Sequence, residues 1–389
     1  MKKICTLVLF ALLCGIVVLR AQNGSEVASN EALQAKVDEL QQRLDKLEKR
    51  QQTKEKVKEV FAKYLKFSGY IQAAYDFKEE DGTTATSTFH LRRARMSLTG
   101  TAYDNKKGGL ADYRLQIDLV RQPVIVDLWI RYQPVHQIGL KVGQMKLPIS
   151  IENTDYASTK LEFINYSLPV QRLARLGSGD MTGISATGRD LGAMLYGGFI
   201  QRDGFSILNY EVGVFNGAGI NVKDNNKSKD IAARFTIQPL KLLKIAGYYH
   251  YGEADVTSLL DKYPGINPAD GANLKYVTCH RWGGGVNYSN DYLFARSEYL
   301  GGKTGELCSE GVYALVGYKF CKKWTVGVRG EYFDENTKVA GCQSNYSVAL
   351  SYHPWKYMRV QAEYTFQHYH NLPGSKNANC LYLMLTGLF

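Results

Sequence analysis

The sequence predicts an all-β fold: a transmembrane antiparallel β-barrel of about 16 strands, preceded by a short N-terminal α-helical coiled coil. Three observations carry that reading. From Lys66 onward, apolar and polar residues alternate with period two in one segment after another. The composition, 12% aromatic and 22% charged with only one apolar run, is too polar for a bundle of membrane helices, each needing about 20 apolar residues. Aromatic residues gather at the ends of the alternating segments (Tyr132, Tyr251, Tyr288, Tyr318, Trp324, Tyr352), as an interfacial girdle requires.

The single apolar run, Ile4 to Leu19, follows Lys2 and Lys3 and ends at Ala21, the pattern of a secretory signal peptide over residues 1–21. Its removal takes away Lys2, Lys3 and Arg20, lowering the formal net charge from +11 to +8. Nucleic acid is an unsuitable partner for an exported basic chain, whereas an anionic solute or lipid fits. Cys279, Cys308, Cys321, Cys342 and Cys380 remain, an odd number without CxxC spacing, so neither a redox motif nor a readable disulfide framework is present.

Residues 22–65 form the expected coiled coil. Leu33, Leu40 and Leu47 occupy d positions, Val37 and Leu44 a positions, with Asn30 and Gln51 as polar members of the a series. Lys54, Lys56 and Lys58 read as a solvated helix face. Three heptads are marginal alone, so the barrel C-terminal to them must hold the oligomer.

Residues 66–389 make the barrel. In its first strand Phe67, Gly69, Ile71, Ala73, Tyr75 and Phe77 face one side, Ser68, Gln72, Ala74 and Asp76 the other. Apolar sets recur at Tyr113 to Leu119, at Val124, Val126, Leu128 and Ile130, and through to Leu381, Leu383, Leu385 and Phe389. A soluble sandwich would show the same alternation, but the aromatic ends and the final Phe389, which is similar to the C-terminal assembly signal of outer-membrane proteins, favour the barrel. Outer-membrane lipid and the assembly machinery are the partners this implies.

With the apolar sets toward lipid, parity assigns Arg93, Arg95, Arg114, Arg131, Arg234, Arg281, Arg296, Arg329, Arg359, Lys141, Lys244 and Lys319 to the lumen. Asp112, Asp118, Asp127, Glu211, Glu298, Glu331 and Glu363 are the acidic residues facing the same way. An arginine fork binds oxyanions bidentately, and a ladder of them lowers the barrier for small anionic solutes. Roughly half of these arginines are expected in ion pairs that stiffen the wall, such as Arg114 with Asp112 or Asp118. The stretch from Lys146 to Arg189 is too long for a hairpin turn, and such loops commonly fold inward in pores, which makes Lys160, Arg172 and Arg175 candidates for a constriction. Its second half reads equally as an extracellular cap.

The run Phe89-His90-Leu91-Arg92-Arg93-Ala94-Arg95, followed by Gly100-Thr101-Ala102-Tyr103, resembles the phosphate-selective porin O and P family. So do Leu140 to Met145 and Ile149-Ser150-Ile151-Glu152. The resemblance implies a homotrimer of outer-membrane barrels with inward loops and an anion path on which Arg92, Arg93 and Asp127 lie. Phosphate-selective members place a lysine where Asn153 follows Glu152 here. Two readings stand: a porin for passive diffusion leaning to anions such as phosphate, or a general diffusion porin whose coiled coil in the periplasm anchors the envelope. No GxSxG nucleophile motif or phosphate-cradling glycine loop occurs, and the pair His368-x-His370 alone does not make a metal site. Neither an enzyme nor a cofactor is expected.

Overall fold

The computed structural model describes residues 27–389 apart from 106–108, 178, 185–186, 225, 267–274, 322 and 373. The signal-peptide segment 1–21 and the first coil residues lie outside the described part, as do the side chains of Leu33, Lys56 and Lys58. The chain divides into two units, residues 1–62 and 63–389.

Helix α1 (Val27–Tyr64), all but its last two residues in the first unit, runs for 38 residues without an interrupting Gly or Pro. Leu40, Leu44 and Leu47 lie exposed along it in the single chain, and Arg43 pairs with Glu39 one turn away at 2.8 Å. Among the described side chains, the heptad leucines Leu40, Leu44 and Leu47 are thus uncovered within one chain.

The second unit is a closed barrel of sixteen antiparallel strands, β1 to β16, each paired with its neighbours in sequence and β1 paired with β16. They are β1 (Lys66–Glu80), β2 (Thr86–Asp104), β3 (Leu110–Asp118), β4 (Val124–Val135), β5 (Ile138–Lys146), β6 (Arg189–Arg202), β7 (Phe205–Phe215) and β8 (Asp230–Leu240). There follow β9 (Leu243–Asp255), β10 (Tyr276–Ser289), β11 (Leu293–Thr304), β12 (Leu307–Phe320), β13 (Trp324–Asp334), β14 (Cys342–Trp355), β15 (Met358–His370) and β16 (Ala378–Leu388). At the seam Gly69 and Phe389 exchange backbone hydrogen bonds of 2.8 and 3.0 Å, and the Phe67 and Phe389 rings lie 6.0 Å apart.

Closure leaves no unpaired sheet edge, the condition for a sheet to cross hydrocarbon. The outward residues are the apolar sets: Ile71, Leu115, Val212, Phe235, Val328, Val348 and Leu383 are exposed or half-exposed, while Gln72, Gln116, Arg234, Arg329, Ser347 and Thr386 are buried inside. Connections at one rim, after β4, β6, β8, β10, β12 and β14, have two or three residues, and both barrel ends lie at this rim. The long connections lie at the other.

Among the described residues six register shifts interrupt the ladders, and two of them change the faces that strict alternation assigns. Opposite Gln72 and Ala73, strand β2 carries one extra residue, Arg92, between Leu91 and Arg93. Opposite Gln116 and Ile117, β4 carries Val126 as the extra residue. Val126, expected on the lipid face, is consequently turned inward and is 1% exposed. The five cysteines Cys279, Cys308, Cys321, Cys342 and Cys380 are all free.

The connection between β5 and β6 enters the barrel. It holds two short helices, α2 (Ile151–Asp155) and α3 (Leu168–Leu173), the first capped by Ser150, whose hydroxyl accepts from Asn153 N. Leu147, Ile149, Phe163, Val170, Leu173 and Met181 from this loop bury against the inward residues Tyr248, Phe294, Leu300, Tyr313, Leu315 and Phe333 of β9 to β13. The inner face of these strands is therefore packed rather than open. Strand glycines make the room: a Cβ on Gly302 would meet Leu173 at 2.8 Å, and one on Gly311 would meet Pro169 at 2.8 Å.

Candidate pore and its charges

Four carboxylates fasten the loop inside the barrel. Glu298, 1% exposed, accepts from Ile151 N at 2.6 Å, Glu152 N at 3.0 Å, Ser150 Oγ at 3.0 Å, Tyr248 OH at 3.1 Å and Tyr313 OH at 2.6 Å. Glu363 accepts from Ile164 N at 2.6 Å and Asn165 N at 3.1 Å, and Glu331 from Leu168 N at 2.8 Å. Within the loop, Glu152 takes the amide and the hydroxyl of Ser167, both at 2.7 Å. These oxygens meet backbone donors that burial would otherwise leave unsatisfied. Asn153 is fully buried, and its Nδ2 donates to the carbonyls of Leu147 and Gly188, tying the two ends of the loop together at 3.2 Å each.

The loop tail is held by ions. Arg175, 3% exposed, donates to Asp190 at 3.0 Å and Asp230 at 2.8 Å, and His250 Nε2 lies 2.8 Å from Asp230. Burial works against the Arg175 charge, and Asp230 with Asp190 outweighs it, so the guanidinium sits above its ordinary pKa. Burial raises the neighbouring Asp180 carboxyl above its usual range although Arg281 and Thr182 oppose it. The second half of the loop is accordingly no extracellular cap: Leu168, Val170, Leu173, Arg175 and Met181 are all buried within the barrel.

Most of the arginines assigned to the lumen have a carboxylate partner. Arg95 pairs with Asp118 at 2.8 Å, Arg114 with Asp127 at 3.2 Å, and Arg131 with Asp112 through Nε at 2.7 Å. Arg234 bridges Asp155 at 2.9 Å and Glu211 at 3.3 Å, Arg296 bridges Glu152 and Glu162, and Arg329 bridges Glu331 and Glu363. The second partner of Asp127 is Arg189, at 2.7 Å.

Others are held by uncharged groups. Arg92 donates to Asn165 Oδ1 at 2.9 Å and Arg93 to Gln72 Oε1 at 3.1 Å. Arg281 donates to the carbonyls of His280 and Lys303 and to Thr304 Oγ1, and Arg359 to the Thr159 carbonyl and Ser351 Oγ. Lys141 lies over the Trp129 ring, 4.4 Å from its centroid. On the loop, Lys160 is exposed, and Arg172 donates to Gly179 O at 3.0 Å beside the Phe333 ring.

Exposure sorts this set. Arg95, Arg175, Arg234, Arg281, Arg296, Arg329 and Arg359 are buried, whereas Arg92, Arg93, Arg114, Arg131 and Lys141 are half-exposed on the inner face of β2 to β5, to which the loop core reaches least, through Met145 and Trp129. Two cavities flank the loop. One of about 300 Å³ is lined by Gln133, Tyr196, Asn209, Glu211, Arg234 and Lys244, the other of about 320 Å³ by Lys78, Tyr166, Gln171, Arg172, Asn345 and Gln367. Sequence reasoning missed the anchoring role of Glu152, Glu298, Glu331 and Glu363. Glu298, inward by parity on a strand whose other inward residues include the apolar Phe294 and Leu300, is the signal that was there to read. His368 Nδ1 meets Asn377 Oδ1 at 2.9 Å, and among the described residues no three or more ligating side chains come together as a metal site would need.

A closed sixteen-stranded barrel with an apolar outer band and a loop folded into a charged lumen is the architecture of an outer-membrane porin, a channel rather than an enzyme. The chain belongs to the phosphate-selective porin O and P family, whose model matches residues 65–379. No curated protein matches it. Solved structures share the fold at low identity. An anion-selective porin from Comamonas acidovorans is 10% identical with a TM-score of 0.65, over 84% of this chain and 99% of that one. Pseudomonas putida OprB is 12% identical at a TM-score of 0.60, covering 85% of this chain and 96% of its own. The trimer form of OmpT from Vibrio cholerae is 13% identical at 0.58, over 84% and 99%.

Proposed function

We propose that this porin is a passive, homotrimeric diffusion channel that favours small anions such as phosphate. The carrying observation is the asymmetry of the inner wall. The loop consumes the wall carboxylates Glu298, Glu331 and Glu363, while the β2 to β5 side shows Arg92, Arg93, Arg114, Arg131 and Lys141 against Asp112 and Asp127. A net positive, partly desolvated wall lowers the barrier for anions and raises it for cations. Lys160 and Arg172 on the loop add to the same sign and serve as its constriction charges. The trimeric neighbour of like fold and the exposed heptad leucines of α1 support a three-chain assembly. Porins keep their short turns in the periplasm, and β1 starts at the short-turn rim, so the segment before it belongs on the periplasmic side as a coiled coil. Residues 1–21 then act as the export signal.

The test is the reversal potential of the purified protein in a planar bilayer under a KCl gradient, followed by titration of phosphate against the chloride current. Anion selectivity with phosphate block is the expected result. Absent or cation selectivity would mean that the half-exposed arginines are neutralised and that this is a general diffusion pore.

A further inference from the structure

We infer that Gln72 and Asn165 are the residues that set the charge selectivity of the pore, because they hold Arg93 and Arg92 with neutral amides where other arginines of the wall have carboxylates. This rests on the anion-favouring reading above and names its determinants.

The β2 bulge is the starting point. With Arg92 as the extra residue, Arg92 and the adjacent Arg93 both turn inward, although neighbours in a regular strand face opposite ways. Each guanidinium is then oriented by one amide oxygen. Gln72 is fully buried, and its Nε2 donates to Thr386 Oγ1 at 3.3 Å, which leaves Oε1 directed at Arg93. Asn165 is fixed through its backbone: its N donates to Glu363 at 3.1 Å and its carbonyl accepts from Arg329 at 2.8 Å, so that its side chain reaches Arg92 from the loop.

An amide oxygen accepts the same hydrogen bond as a carboxylate oxygen but brings no charge. Orientation is thereby separated from neutralisation. Two residues along the same strand, Arg95 shows the alternative: Asp118 at 2.8 Å orients and cancels it, and the pair is buried. Arg92 and Arg93 stay half-exposed, and among the described residues neither has a carboxylate within ion-pair reach. The positive field of this wall therefore depends on the identity of two acceptors as much as on the arginines themselves.

The experiment compares full-length protein carrying Gln72→Glu or Asn165→Asp with the unaltered protein in planar bilayers under a KCl gradient. Both substitutions preserve size and the accepting oxygen, and the Thr386 hydroxyl can turn to donate to the new carboxylate. Each is expected to lower the chloride-to-potassium permeability ratio about three- to tenfold, the effect of one charge at roughly 6 Å in a medium between water and a protein surface. Asn379→Asp, on the outer wall beside Tyr364, adds the same charge outside the lumen and is expected to leave the ratio unchanged. Arg93→Gln and Arg92→Gln, which remove the same two charges without adding a carboxylate, are expected to lower it likewise and decide the matter if an acidic variant does not assemble. Ratios unmoved by Gln72→Glu and Asn165→Asp, or by Arg93→Gln and Arg92→Gln, would overturn the inference while the anion-favouring reading stands. An unselective unaltered protein would overturn that reading first, before any variant is compared.

Discussion

Glu298→Gln tests the central structural claim, that wall carboxylates hold the loop across the lumen. The carboxylate distributes five donors over two oxygens: Ser150 Oγ, Glu152 N and Tyr313 OH on one, Ile151 N and Tyr248 OH on the other. The amide keeps one accepting oxygen and puts an NH2 group where the second stood. Tyr248 can rotate its hydroxyl to accept from that group, but the Ile151 N–H cannot, and it loses its partner in a site that is 1% exposed at Glu298. An unpaired buried donor costs about 1–3 kcal/mol, and the weakening of three charge-assisted bonds adds roughly as much, so the loop loses on the order of 3–5 kcal/mol of its docking. The barrel ladders are untouched. Single-channel recordings should therefore show larger and noisier conductance, and limited proteolysis should cut within the loop while the barrel stays resistant to detergent denaturation. A variant whose conductance, current noise and protease resistance match those of the unaltered protein would refute the claim that Glu298 anchors the constriction.

The loop yields two further predictions. Arg175→Gln leaves Asp190 and Asp230 buried without their cation, and the expected loss of about 3–5 kcal/mol should appear as a lower thermal midpoint, with Arg175→Lys restoring part of it. Asp155, on α2, is raised by burial but lowered further by Arg234 and Lys244, so its pKa lies below the ordinary value. A depressed carboxyl contributes its stabilisation above its unfolded pKa and loses it as pH falls through the folded one. The step in conductance that belongs to Asp155 should lie below the usual carboxylate range, and Asp155→Asn should abolish that step. A low-pH step that is unchanged in Asp155→Asn would contradict this assignment.

The barrel was legible in the sequence because a strand's side chains alternate with period two, and lipid on one side and water on the other imposes that period on composition. Sets such as Val124 to Ile130 nevertheless show the limit of parity. One inserted residue turns Val126 inward, and the same device lets Arg92 join Arg93 on the lumenal face. A bulge leaves no mark in composition, since it depends on which backbone groups the neighbouring strand offers. The heptad of α1 was readable for the corresponding reason, a periodicity of 3.5, and its helix is present with the leucines exposed in the single chain.

The charges were a different matter. That Arg114, Arg131, Arg234, Arg296 and Arg329 lie inward follows from sequence, but whether each carries net charge into the lumen depends on partners as near as Glu331 on the same strand as Arg329 and as far as Glu152, 144 residues from Arg296. The long β5–β6 connection announced itself by length, and parity placed Glu298 and Glu363 inward. Only the folded barrel brings Ile151 and Ile164 to those carboxylates, because the loop is drawn there by apolar side chains that no local pattern assigns to the lumen. Local periodicity, set by the environment on either side of a strand, determined the barrel and the direction of its arginines. The tertiary structure decided which of them are neutralised, because strand register and the packing of the inward loop determine which carboxylate comes within reach of each guanidinium.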